Sequence, residues 1–148
     1  KKSDSVVVIV HEIFGVNQHI KSYCKAISEQ DFDVICPDLL NKKIPYDYLQ
    51  EEAAYHNFIE SVGFIKAAET IKNLVADLKD DYNKIFIVGF SVGATVAWLC
   101  SELKYVDGIV GYYGSRIRNY IDIQPTCPTM LFFPEEEPSF SVNELVAN

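Results

Sequence analysis

KIFIVGFSVGATVAWLCSEL, residues 84–103, is the stretch that decides the fold. Its first part, Lys84 to Phe90, is a continuous apolar run rich in β-branched residues and reads as a buried strand. Val92, Val96, Leu99, Cys100 and Leu103 then fall at helical spacing, so a helix starts directly after the strand. At the junction stands GFSVGA, Gly89 to Ala94, which fits G-x-S-x-G in the strand-to-helix context that this pattern requires. Such a sharp turn puts the serine in a strained conformation that lifts its hydroxyl above the sheet edge. Gly89 and Gly93, two residues to either side of Ser91, leave room for neighbouring backbone. The new helix also aims its unpaired N–H groups and positive end at the same point, which makes the amide of Val92 a ready oxyanion donor. The plainer alternative is that Ser91 only caps the helix, but a cap does not demand glycine on both sides. Phosphate cradling is disfavoured, since neither G-x-G-x-x-G nor G-x-x-x-x-G-K-[ST] occurs.

Outward from this stretch, strands and helices alternate. SVVVIV (Ser5 to Val10) reads as a central strand, and DVICPDLL gives a second, ended by Pro37, which cannot donate to a ladder. Between them Ile20, Tyr23, Cys24 and Ile27 line one side of a helix over Gln18 to Glu29. A polar stretch, Asn41 to Tyr48, leads into helices at Gln50 to Ser61 and Phe64 to Leu78, with Gly63 as the break. DGIVGYYG and PTMLFF supply fourth and fifth strands. The expectation is one α/β domain over residues 1–148, with a doubly wound, mostly parallel sheet. Ligands bind such sheets at the carboxyl ends of the strands, which singles out 11–15, 37–41, 90–94, 114–118 and 134–138.

Composition narrows the partners. A net charge of −8 argues against nucleic acid or an anionic membrane and favours a small, weakly charged molecule. The four cysteines show no C-x-x-C pair or regular spacing, so they read as reduced packing residues in a cytoplasmic protein without a zinc site. No apolar run approaches a membrane span, and no leader-like segment precedes the first strand. HEIFG (His11 to Gly15) follows the first strand where a second oxyanion donor arises in folds with this elbow. The zinc pattern H-E-x-x-H fails there, because position 15 is glycine. Glu12 points into the expected cleft, although a lone glutamate after a strand is ordinarily a solvated charge.

VIVHEIFGVNQHI, VICPDLL, the GFSVGA elbow and VDGIVGYYG together resemble the dienelactone hydrolase family of α/β-hydrolases, from about Val6 to about Pro138. The resemblance implies an α/β-hydrolase fold, here expected to lack its last strand and helix, and no cofactor. It implies Ser91 as nucleophile, Val92 and Ile13 as oxyanion amides, Glu12 as the glutamate beside the nucleophile and Tyr55 as a substrate-pocket tyrosine. The acid of the triad is implied between Glu135 and Glu137, and alignment on Pro128 places it at Glu137. Dienelactone hydrolases proper carry cysteine where Ser91 stands. Their carboxylate-anchoring arginine, one helical turn before Tyr55, is replaced by Glu51 or Glu52, which speaks against a dicarboxylate-like substrate.

The family's catalytic histidine follows the acid, yet no histidine follows His56 in this sequence. Two expectations stand. One is a serine hydrolase acting on a small ester or lactone, its chain continuing past Asn148 with one strand, a histidine-bearing loop and a helix. The other is a non-catalytic ligand-binding or scaffold module with the same fold.

Overall fold

The structure is a computed structural model, described here for residues 1–134. Five strands form one parallel sheet in the order β2-β1-β3-β4-β5. They are β1 (Ser5–Val10), β2 (Asp33–Ile35), β3 (Lys84–Phe90), β4 (Gly108–Tyr112) and β5 (Thr129–Phe132). The helices are α1 (Gln18–Ser28), α2 (Glu51–Asn57), α3 (Phe64–Leu78) and α4 (Val92–Leu99).

Alternation along β1 builds both cores. Val6, Val8 and Val10 face one side, where Ala67, Ala68, Ile71 and Val75 of α3 and Val96 and Ala97 of α4 cover them. Val7 and Ile9 face the other, under Ile20, Tyr23, Cys24 and Ile27 of α1. A continuous apolar strand is therefore buried twice over, and each such Val or Ile contributes about 1.5–3 kcal/mol. Asn17 sets the start of α1, its side-chain oxygen accepting the Ile20 N–H at 3.1 Å.

The second strand ends at Ile35, just before Pro37 as expected, because Pro37 has no N–H and the Leu39 N–H is spent on the Nε2 of His11 at 3.0 Å. One helical segment differs from the sequence expectation. The segment expected as one helix from Gln50 to Ser61 is a 3-10 turn (Tyr48–Gln50), then α2, then a π-turn (Phe58–Val62). Asp47 and Gln50 form a capping box that starts the turn early. The wider π-turn keeps Phe58, like Ala54 four residues before it, in the core, and it closes with Gly63 N–H donating to the Phe58 carbonyl at 2.6 Å. Gly63, at φ 77°, then breaks the helix as its type and place predicted.

Register aligns the business ends of the strands. Val10 pairs with Gly89 and Phe90 with Tyr112, so β1, β3 and β4 all finish at one edge. Phe90, Tyr112 and Phe132 stack across β3, β4 and β5 at 5.1 and 5.0 Å between ring centroids, stiffening that edge on the α1 side.

Candidate active site

Ser91 occupies the turn between β3 and α4 with φ 56° and ψ −116°, a region that side-chain-bearing residues rarely adopt. Its side chain makes no capping hydrogen bond to α4, which removes the reading of Ser91 as a mere helix cap. Backbone bonds hold the strain in place: the Ser91 N–H donates to the Tyr112 carbonyl at 2.7 Å, and its carbonyl accepts from Ala94 at 3.0 Å. A Cβ at Gly89 would lie 2.0 Å from the Gly93 carbonyl oxygen, and one at Gly93 would lie 2.2 Å from the Val10 oxygen. Both glycines are thus required by close backbone approach. The same contact brings the elbow against the end of β1, where HEIFG begins.

Val92 is the first residue of α4, so its N–H has no acceptor within the helix and is available to a ligand. The Glu12–Gly15 segment is a tight turn, closed by the Gly15 N–H donating to the Glu12 carbonyl at 3.2 Å. Ile13, on that turn, is buried. The Glu12 side chain is half-buried, and loss of hydration pushes its carboxyl above the ordinary value, an effect partly offset by the electrostatic influence of nearby His19.

Among the described residues no hydrogen bond joins a histidine to Ser91. His11 is buried, with Nδ1 2.6 Å from the Glu12 carbonyl oxygen and Nε2 accepting the Leu39 N–H at 3.0 Å. This fixes a neutral ring with the proton on Nδ1, and burial lowers its pKa. His19 is exposed and packs edge-on against Phe90 at 5.4 Å, while His56 is exposed beside Glu60 at 3.9 Å. Glu137, the expected acid, lies outside the described residues.

Tyr55, on α2, receives a hydrogen bond from the guanidinium of Arg116, on the 3-10 turn (Ser115–Tyr120) after β4. Sequence reading missed that link. It missed as well the left-handed backbone of the exposed Tyr113, at φ 60°, just before that turn. Neither carries a local sequence signal, since the first joins elements 61 residues apart and the second places an aromatic where glycine or asparagine is usual. Cavities of about 500 Å3 on the α1 face of the sheet, along Tyr23, Phe86, Val110 and Met130, and of about 420 Å3 beside Tyr46 to Leu49, are lined by other residues than Ser91. Among the described residues no group of His, Cys, Asp and Glu is arranged to hold a metal ion, and no helix is long and apolar enough to cross a membrane.

A parallel sheet whose central strand delivers a strained serine to a helix N-terminus, flanked by a loop from the neighbouring strand, defines an α/β-hydrolase. Structural similarity agrees. The dienelactone hydrolase-like promiscuous phosphotriesterase P91 from metagenomic libraries superposes with a TM-score of 0.73 at 12% identity, covering 99% of this chain and 64% of that one. An alpha-beta serine hydrolase homologue from Coxiella burnetii gives 0.69 at 15% identity, covering 99% and 69%. At that identity the likeness shows the fold. In sequence, the profile of the dienelactone hydrolase family matches residues 1–147. YczH of Bacillus subtilis (strain 168), whose function is uncharacterized, is 43% identical over 142 residues, covering 95% of this chain and 69% of that protein. Carboxymethylenebutenolidase of Pseudomonas putida is 32% identical over 131 residues, covering 81% of this chain and 54% of the enzyme. The chain belongs to the dienelactone hydrolase family, and it spans about half the length of the carboxymethylenebutenolidases that it matches.

Proposed function

We propose that the protein hydrolyses a small ester or lactone through an acyl-enzyme on Ser91. The observation that carries this reading is the strained Ser91 backbone, held between two glycines that admit no side chain. A strained serine at a helix N-terminus has a use in acyl transfer, where its hydroxyl attacks a carbonyl and charge develops on the carbonyl oxygen. The amides of Ile13 and Val92 receive that oxyanion. The base of this reading is a histidine oriented by Glu137 and is none of the three histidines of this sequence; it takes the serine proton and returns it to the leaving alcohol, and water then releases the acid. Glu12 sits one residue before the Ile13 amide, where its half-buried carboxylate acts on the nucleophile's protonation. Tyr55 contributes to the substrate pocket. No cofactor enters these steps. The unbridged cysteines Cys24, Cys36, Cys100 and Cys127 suit a reducing compartment such as the cytoplasm.

A second reading, a binding module without turnover, is favoured by one observation: both ring nitrogens of His11 are engaged by backbone, and among the described residues no hydrogen bond joins His19 or His56 to Ser91. Short nitrophenyl esters and lactones offered to the full-length protein separate the two. Ser91-dependent hydrolysis, lost in a folded Ser91→Ala variant, supports the enzyme. Ligand affinity with no hydrolysis supports the module.

A further inference from the structure

His11 is buried and aligned on both sides, yet the reaction as proposed gives it no chemical step. Its Nδ1–H and the Gly15 N–H converge on one acceptor, the carbonyl oxygen of Glu12, at 2.6 and 3.2 Å. That carbonyl belongs to the same planar unit as the Ile13 N–H. The described chain has no cis peptide bond, so the two ends of the unit point in opposite directions. Two donors on the oxygen therefore fix the direction of the amide. The ring is in turn anchored from the β2 side, where Nε2 accepts the Leu39 N–H at 3.0 Å. Meanwhile the Val10 and His11 carbonyls press on Gly93, the second residue of α4, so the chain that leads into this peptide rests on the nucleophile helix.

We propose that His11 is a positioning residue: its imidazole, bridging the Glu12 carbonyl and the Leu39 N–H, holds the Ile13 amide aimed at the oxyanion formed on Ser91. The inference rests on the functional reading above. The bridge needs one donor and one acceptor at the two ends of a short side chain, and a neutral imidazole supplies both. An apolar replacement releases the Glu12–Ile13 peptide to rotate. The Gly15 bond alone then sets its direction, and the cost falls on the transition state rather than on substrate binding.

The test uses full-length protein, p-nitrophenyl acetate and phenylboronic acid, whose serine adduct carries a tetrahedral oxyanion. His11→Leu is expected to lower kcat on the order of 10- to 100-fold, somewhat less than outright loss of an oxyanion donor. KM should stay within about 2-fold, and boronate affinity should weaken in step with kcat. His11→Gln, which carries a donor and an acceptor of its own, is expected to recover most of the loss. His11→Met replaces the leucine variant should that one fail to fold. A folded apolar variant with unchanged kcat overturns the proposal, as does a loss that appears in KM alone or one that the glutamine variant shares in full. If the wild-type protein shows no Ser91-dependent hydrolysis, the functional reading fails first and this inference falls with it.

Discussion

Gly93→Ala tests the elbow where the packing is tightest. The added methyl would sit 2.2 Å from the Val10 oxygen and 2.7 Å from the His11 oxygen, both backbone atoms that no side-chain rotation can move. Ordinary contacts of this kind lie at 3.4–4 Å, so β1 and the start of α4 must part by about 1 Å or more. Val10 is paired in register with Gly89, and parting them strains the β1–β3 ladder at the end that carries Ser91. Overpacking of this sort costs about 1–3 kcal/mol and more where backbone must yield. A nucleophile displaced by about 1 Å loses on the order of 100-fold in rate. Urea denaturation and ester kinetics on the full-length protein measure both effects. Gly63→Ala is the control for backbone strain without crowding, because nothing lies within 4 Å of its added methyl while its φ of 77° and ψ of 156° cost a side-chain-bearing residue about 1–3 kcal/mol, a loss of stability expected to leave ester kinetics unchanged. A Gly93→Ala protein as stable and as fast as wild type would refute the elbow packing and the role given to Gly93.

Two further outcomes follow from burial. The Glu12 carboxyl has its pKa raised on folding, so the stability it contributes is present below the ordinary value of 4.5 and is lost as pH rises through the folded value. Glu12→Gln should therefore stabilise at pH 7.5 by less than about 1 kcal/mol, the partly exposed group keeping much of its hydration, and do little at pH 4. Urea midpoints at the two pH values check this, and an equal gain at both would contradict it. Thr95, buried on α4 one turn after Ser91, has a hydroxyl with no hydrogen-bond partner among the described residues. Thr95→Val should raise stability by about 1 kcal/mol, and a clear drop in melting temperature would show that the hydroxyl is satisfied after all.

The order of strands and helices was legible because β1 and β3 are apolar on both faces and α3 keeps a helical stripe, patterns that burial imposes residue by residue. The elbow was legible for a related reason: serine between two glycines at a strand-to-helix junction suits few backbone geometries besides a tight turn, and the φ of Ser91 and the contacts of Gly89 and Gly93 are those of such a turn. The division of Gln50 to Ser61 was not legible, since a π-turn differs from an α-turn in hydrogen-bond reach rather than in residue type. Neither was the hold of Arg116 on Tyr55, nor the bridge that His11 makes between the Glu12 carbonyl and the Leu39 N–H. From sequence alone His11 could be a ligand, a base or a core residue, because an imidazole suits all three. Its role depends on which backbone groups, 28 residues apart at one end of the bridge, are brought to its two nitrogens. Local pattern therefore decided which residues are buried and where the chain turns, while tertiary approach decided which polar atoms meet, since hydrogen-bond partners distant in sequence leave no periodic trace in it.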